Sequence, residues 1–70
     1  MTALEYRDAL RRLEMSHEYS AKVLGISEAI SRRRASGEVK VPPEAAVLLR
    51  LMLAMKISPH QVLEHVATTK

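Results

Sequence analysis

MSHEYSAKVLGISEAISRRRASG, Met15 to Gly37, is the stretch whose reading decides the fold. Ser16 and Ser27 each stand before a helix-length segment, where a serine oxygen can accept from the free N–H groups of a first turn. Glu18 suits the positive end of the first of these helices. Gly25 gives the backbone the freedom needed to turn after Leu24, and Gly37 supplies a left-handed stop after Ser36. The spacing predicts a helix over His17–Leu24, a tight turn, and a second helix over about Glu28–Ala35. Ala21 and Leu24 share one face with Val23 beside them, and Ile26 should plug the core beneath the turn. Two short helices joined in this way form a helix-turn-helix, whose second helix can enter a DNA major groove.

At 100° per residue, Glu28, Ala29, Arg32 and Arg33 share one arc of about 140°, with Ile30, Ser31, Arg34 and Ala35 on the opposite side. The outer arc carries base-reading chemistry. An arginine can pair with guanine O6 and N7, a carboxylate such as Glu28 can accept from cytosine N4, and the Ala29 methyl can meet a thymine methyl. The bland alternative for Glu28 is that it only complements the helix dipole. Candidate phosphate partners are His17, Lys22, Arg34 and Lys40, together with the helix N-termini capped by Ser16 and Ser27. An exposed lysine taken singly is as well explained as a solvated charge. Arg34 has a structural alternative, its stem covering the core and its head reaching Glu38 or Glu44.

The flanking chain supplies the remaining helices. Thr2-Ala3-Leu4-Glu5 fits a capping box, and Tyr6, Ala9, Leu10 and Leu13 form one stripe of a helix over about Ala3–Glu14. Pro42-Pro43 closes a loop and starts a helix over about Pro43–Lys56. That helix is apolar nearly all round and should be buried on most sides. Ser58-Pro59 opens a last helix through about Ala67, with Thr68-Thr69-Lys70 frayed. The surplus of apolar residues in the last two helices suggests a two-fold dimer. Leu53, Ile57, Val62 and Val66 are its candidate contacts, unless they fill the monomer core.

Composition narrows the function classes. Seventy residues allow one domain, with no linker or repeat, and a thin core. The 47% hydrophobic content excludes disorder, while the lack of Phe and Trp favours helices over sheets. No Cys is present, so neither a disulfide framework nor a thiolate metal site is available. The net charge is +3, and the isoelectric point of about 9.7 matches the basic footprint of nucleic-acid binding. Met1 leads directly into a polar amphipathic segment, unlike a signal peptide. Ala45–Met55 is too short to span a bilayer and is interrupted by Arg50. A soluble, cytoplasmic, nucleoid-associated protein is expected, with no membrane partner. An enzyme is not: the carboxylates are scattered, no Gly-rich phosphate loop occurs, and no nucleophile has a base. His60 and His65 stand about 140° apart on a helix and lack a third ligand, so no metal site is expected. No catalytic residue, cofactor or small-molecule ligand is read.

The residues resemble the Cro/cI-type, lambda-repressor-like helix-turn-helix family. The match is carried by Met15-Ser16-His17, Ala21, Leu24-Gly25-Ile26-Ser27, Arg33 and Ser36-Gly37. The five-helix layout extends it over nearly the whole chain, and Val41-Pro42-Pro43 before a Leu-rich helix is similar to small regulators of phages and mobile elements. Three positions depart from the family pattern. His17 replaces a Gln that donates to a phosphate, and a histidine can do the same, more strongly when protonated. Ser31 replaces an apolar core residue; either the helix is turned slightly or the hydroxyl bonds back to its own helix. Arg34 replaces an aromatic residue.

The resemblance implies an all-α, compact five-helix domain over residues 1–70, with the helix-turn-helix at 16–37 and core and dimerisation helices at 43–67. It implies a homodimeric transcriptional regulator on double-stranded DNA with a palindromic operator. Autorepression is the simpler mode, since no ligand or activation domain is visible, and a phage or anti-CRISPR-type operon is one setting that fits. The rival is a protein-interaction module on the same fold, such as an antitoxin-like partner binder or a sigma-factor contact.

Overall fold

Helix ends and caps lay out the architecture. The computed structural model describes residues 1–68, with the side chains of residues 1–64. Five helices and no strand occur among the described residues: α1 (Ala3–Arg12), α2 (His17–Leu24), α3 (Glu28–Ser36), α4 (Pro43–Met55) and α5 (Pro59–Thr68). The Cα radius of gyration is 11.3 Å, close to the roughly 11 Å expected of a compact chain this long.

Each start is chemically explicit. Thr2 Oγ1 accepts from the Glu5 N–H at 3.1 Å while Glu5 accepts from the Thr2 N–H at 2.8 Å, a complete capping box. Ser16 and Ser27 accept from the N–H groups of Tyr19 and Ile30, both at 3.1 Å. Ser58 forms a second reciprocal box with Gln61, at 2.9 and 3.2 Å. Pro43 begins α4, where its missing N–H leaves nothing unsatisfied. Gly25 and Gly37 end α2 and α3 at φ 69° and 88°.

Four ends differ from the sequence expectation: α3 and α5 run one residue further, to Ser36 and Thr68, and α1 and α4 stop short. α1 stops at Arg12 because Glu14 adopts φ 56°, which lets the Met15 N–H reach the Leu10 carbonyl at 2.9 Å and swings Met15 into the core. α4 stops at Met55 because Lys56 is itself left-handed, also at φ 56°.

The core joins Tyr6, Ala9 and Leu10 of α1 to Met15, Val23, Ala35, Leu49 and Met52. α3 rests on both α1 and α2, while α1 also packs on α4 and α2 on α5. The expectation that α4 is buried on most sides is corrected. Ala45, Ala46, Leu49 and Met52 face inward, but Val47, Leu51 and Met55 remain 62%, 46% and 63% exposed. Those three recur every fourth residue, so they form a stripe on the outer face. No described helix is long and apolar enough to cross a membrane.

Candidate nucleic-acid interface

The site follows from how α3 is seated. Ser31, Arg34 and Ala35 point inward and are buried, as the helical arc predicts, while Ile30 is half-buried. Ala29, Arg32 and Arg33 are therefore turned outward and exposed, with Glu28 half-buried at the start of the helix. Ala29, Arg32, Arg33, Ser36 and Glu38 surround one shallow depression on this side.

Both exposed arginines have carboxylate neighbours. Arg32 donates to Glu28 Oε2 through Nε at 3.0 Å and Nη2 at 2.5 Å, one helical turn apart. Arg33 Nε lies 3.8 Å from Glu38 Oε2 across the Gly37 turn. Their side chains are 65% and 56% exposed. Ion pairs this open are worth about 0–1 kcal/mol. They hold the guanidinium groups in place, yet can be exchanged for a phosphate or a guanine edge at small cost.

The surrounding phosphate candidates divide. Lys22, Ser27 and Lys40 are exposed. His17, at the first position of α2, is half-buried, with Nδ1 held 2.8 Å from Ser31 Oγ. Arg34 is nearly buried: 8% of it is exposed, Nε and Nη1 are enclosed without a partner, and Glu38 faces Arg33. Ser31 neither bonds back to its own helix nor stays unpaired; its hydroxyl joins Tyr6, His17 and Ser20.

Of the candidate dimer residues, Leu53, Ile57 and Val62 are half-buried and packed against the core, so part of their apolar surface is used within one chain. Val66 lies outside the described side chains. The large apolar side chains left exposed are Val47, Leu51 and Met55 on the outer stripe of α4, with Leu4 on α1 and Val39 after α3.

Ser36 and Glu38 are the lining residues that sequence reasoning missed. Ser36 lies at about 80° on the same helical arc and was legible by the arithmetic that found Arg32. Glu38 follows a left-handed turn, where helical periodicity ends. His60 is a surface residue, its Nε2 3.2 Å from Glu64 Oε1. No family model, curated protein or solved structure matches the chain.

Proposed function

We propose that the chain is a DNA-binding domain of the lambda-repressor-like helix-turn-helix class, with α3 as the recognition helix. Within that class it acts as a cytoplasmic homodimeric autorepressor, reading an inverted repeat in its own promoter. The observation that carries this reading is the outer face of α3, where Arg32 and Arg33 flank one depression on the helix following a tight glycine turn. Exposed Lys22 and Lys40 and the N-terminus at Ser27 add positive potential.

Arg33 and Arg32 read guanine edges, Glu28 and Ala29 set neighbouring preferences, and Lys22, Lys40, Ser27 and His17 hold the backbone. Fluorescence anisotropy with DNA from upstream of the gene, across a salt series, tests this. Tight binding lost on scrambling the duplex, and weakened by Arg33→Ala by about 1–3 kcal/mol, is the expected result. Equal, steeply salt-dependent binding to both duplexes would reduce the site to a basic surface.

A second reading is a protein-interaction module on the same fold, favoured by the exposed Val47, Leu51 and Met55. Failure to bind either duplex at low salt would select it.

A further inference from the structure

Beneath the recognition helix lies a buried cluster of hydroxyl groups. Tyr6, Ser20 and Ser31 are each 0% exposed. Ser31 Oγ stands at the junction, 2.8 Å from Tyr6 Oη, 2.9 Å from Ser20 Oγ and 2.8 Å from His17 Nδ1. Ser20 Oγ also donates to the His17 carbonyl at 3.1 Å.

Counting protons assigns the direction of every bond. A carbonyl only accepts, so the single Ser20 proton goes to the His17 carbonyl. The contact between Ser20 and Ser31 then needs the Ser31 proton. Ser31 is left with two lone pairs, one for the Tyr6 O–H and one for His17, whose Nδ1 must therefore carry hydrogen. If Ser31 donated to Nδ1 instead, one oxygen–oxygen contact of the cluster would hold no proton, which is costly in a buried site. The cluster therefore fixes the imidazole with hydrogen on Nδ1. In the neutral ring, Nε2 is then a bare lone pair, on a half-buried residue that lines an open cleft.

A phosphate oxygen also only accepts. Neutral His17, held in this tautomer, cannot donate to one. The imidazolium can, because protonation adds hydrogen at Nε2 and leaves the Nδ1 bond to Ser31 intact.

Resting on the proposed DNA-binding role, we propose that the His17 phosphate contact forms with uptake of one proton, and that Ser31 is the positioning residue that imposes this requirement. The surroundings agree. From α1, Arg7 and Arg11 line the same cleft as His17, together with Leu10, Met15 and Ser16. Arg11 is held by Asp8 at 2.6 Å, and Tyr6 contributes only its neutral phenol. From α2, the nearest acid is the exposed Glu18, and from α3 the group at the ring is the neutral Ser31 hydroxyl. Arg7 and Arg11 beside His17 give the cleft cationic groups that favour an entering anion such as a phosphate. DNA affinity therefore rises as pH falls through the range in which histidines titrate, with a slope approaching one log unit per pH unit.

The test combines a spectrum taken without DNA and a binding profile. Nitrogen-15 correlation spectra of the free protein, above the His17 titration, should show hydrogen on Nδ1 and a pyridine-type Nε2. Binding to a mixed-sequence duplex at low salt, followed from pH 5 to pH 8, should strengthen with acid. His17→Gln, whose amide donates without titrating, should flatten the profile, separating His17 from His60 and His65. Ser31→Ala should release the tautomer and reduce the pH dependence, and Ser31→Thr should restore both. Hydrogen on Nε2 in the wild-type spectrum, or a wild-type profile no steeper than that of His17→Gln, overturns the proposal without a mutant needing to fold. Absence of binding at every pH overturns the DNA reading and the proton linkage together, and leaves the tautomer to be judged by its spectrum.

Discussion

Arg34 and Ser31 occupy the inner side of α3, where a recognition helix would ordinarily present apolar side chains to its core. The arc arithmetic assigned them to that side correctly. What it could not supply was their partners, because those come from α1 and α2, distant in sequence: Tyr6 lies 25 residues and His17 14 residues from Ser31. Ser31 finds a closed set of bonds, whereas the Arg34 Nε and Nη1 do not. An enclosed donor without an acceptor costs about 1–3 kcal/mol. A methionine fills similar volume without that penalty. Arg34→Met is accordingly expected to match or exceed the wild-type melting temperature, while Arg34→Ala lowers it by removing the packed stem. Because Arg34 is nearly buried, Arg34→Met is expected to leave DNA affinity unchanged. A large loss of affinity in a well-folded Arg34→Met protein would restore the phosphate role.

At the level of elements, the caps carried most of the sequence information. Thr2, Ser16, Ser27, Gly25 and Gly37 mark boundaries through bonds made within a few residues, so they are readable without knowing the fold. The end of α4 is different, because its left-handed residue is a lysine and gives no such signal. A β-carbon in that conformation costs about 1 kcal/mol, so Lys56→Gly should raise the melting temperature by about 5 °C in a domain of this size, as read by circular dichroism. At the other end of the chain, the Glu5 carboxyl is held below its ordinary range, first by the Thr2 N–H and then by the Thr2 hydroxyl. A carboxylate whose value is lowered on folding contributes stability above its unfolded value and loses it as pH falls through the folded one. The first turn of α1 should fray in acid, seen as faster amide exchange at Glu5, and Glu5→Gln should remove that dependence. Just past α3, Glu38 lies 3.8 Å from Arg33; on the proposed DNA-binding role it competes for that guanidinium, so Glu38→Gln should tighten binding and steepen its dependence on salt. Weaker binding would assign Glu38 a direct contact with the bases.

The molecule as a whole has two unlike faces, one bearing Arg32 and Arg33 on α3 and an apolar one on α4; the sequence placed the first residue by residue, but the second only as surplus apolar surface. The run Ala45–Met55 is so uniformly apolar that its periodicity does not distinguish core from surface. Tertiary packing decides it, drawing Leu49 and Met52 inward and leaving Val47, Leu51 and Met55 outside. A single short recognition helix reads few base pairs, and sequence-specific domains of this size gain selectivity by engaging two half-sites about one turn apart. Because Leu53, Ile57 and Val62 also pack on the monomer core, the more exposed α4 stripe, where Leu51 is central, is the surface proposed for a second copy. Leu51 is nearly half exposed, so a charge there disturbs a dimer contact more than the core. Leu51→Lys is expected to sediment as a monomer with unchanged helicity and to bind a palindromic duplex no better than a half-site. The wild-type melting temperature should rise with protein concentration, since assembly stabilises the folded chain by mass action, and that rise should vanish in Leu51→Lys. A wild-type protein that stays monomeric at all concentrations and binds the half-site as tightly as the palindrome would remove the dimer from the proposed function while leaving the recognition helix in place.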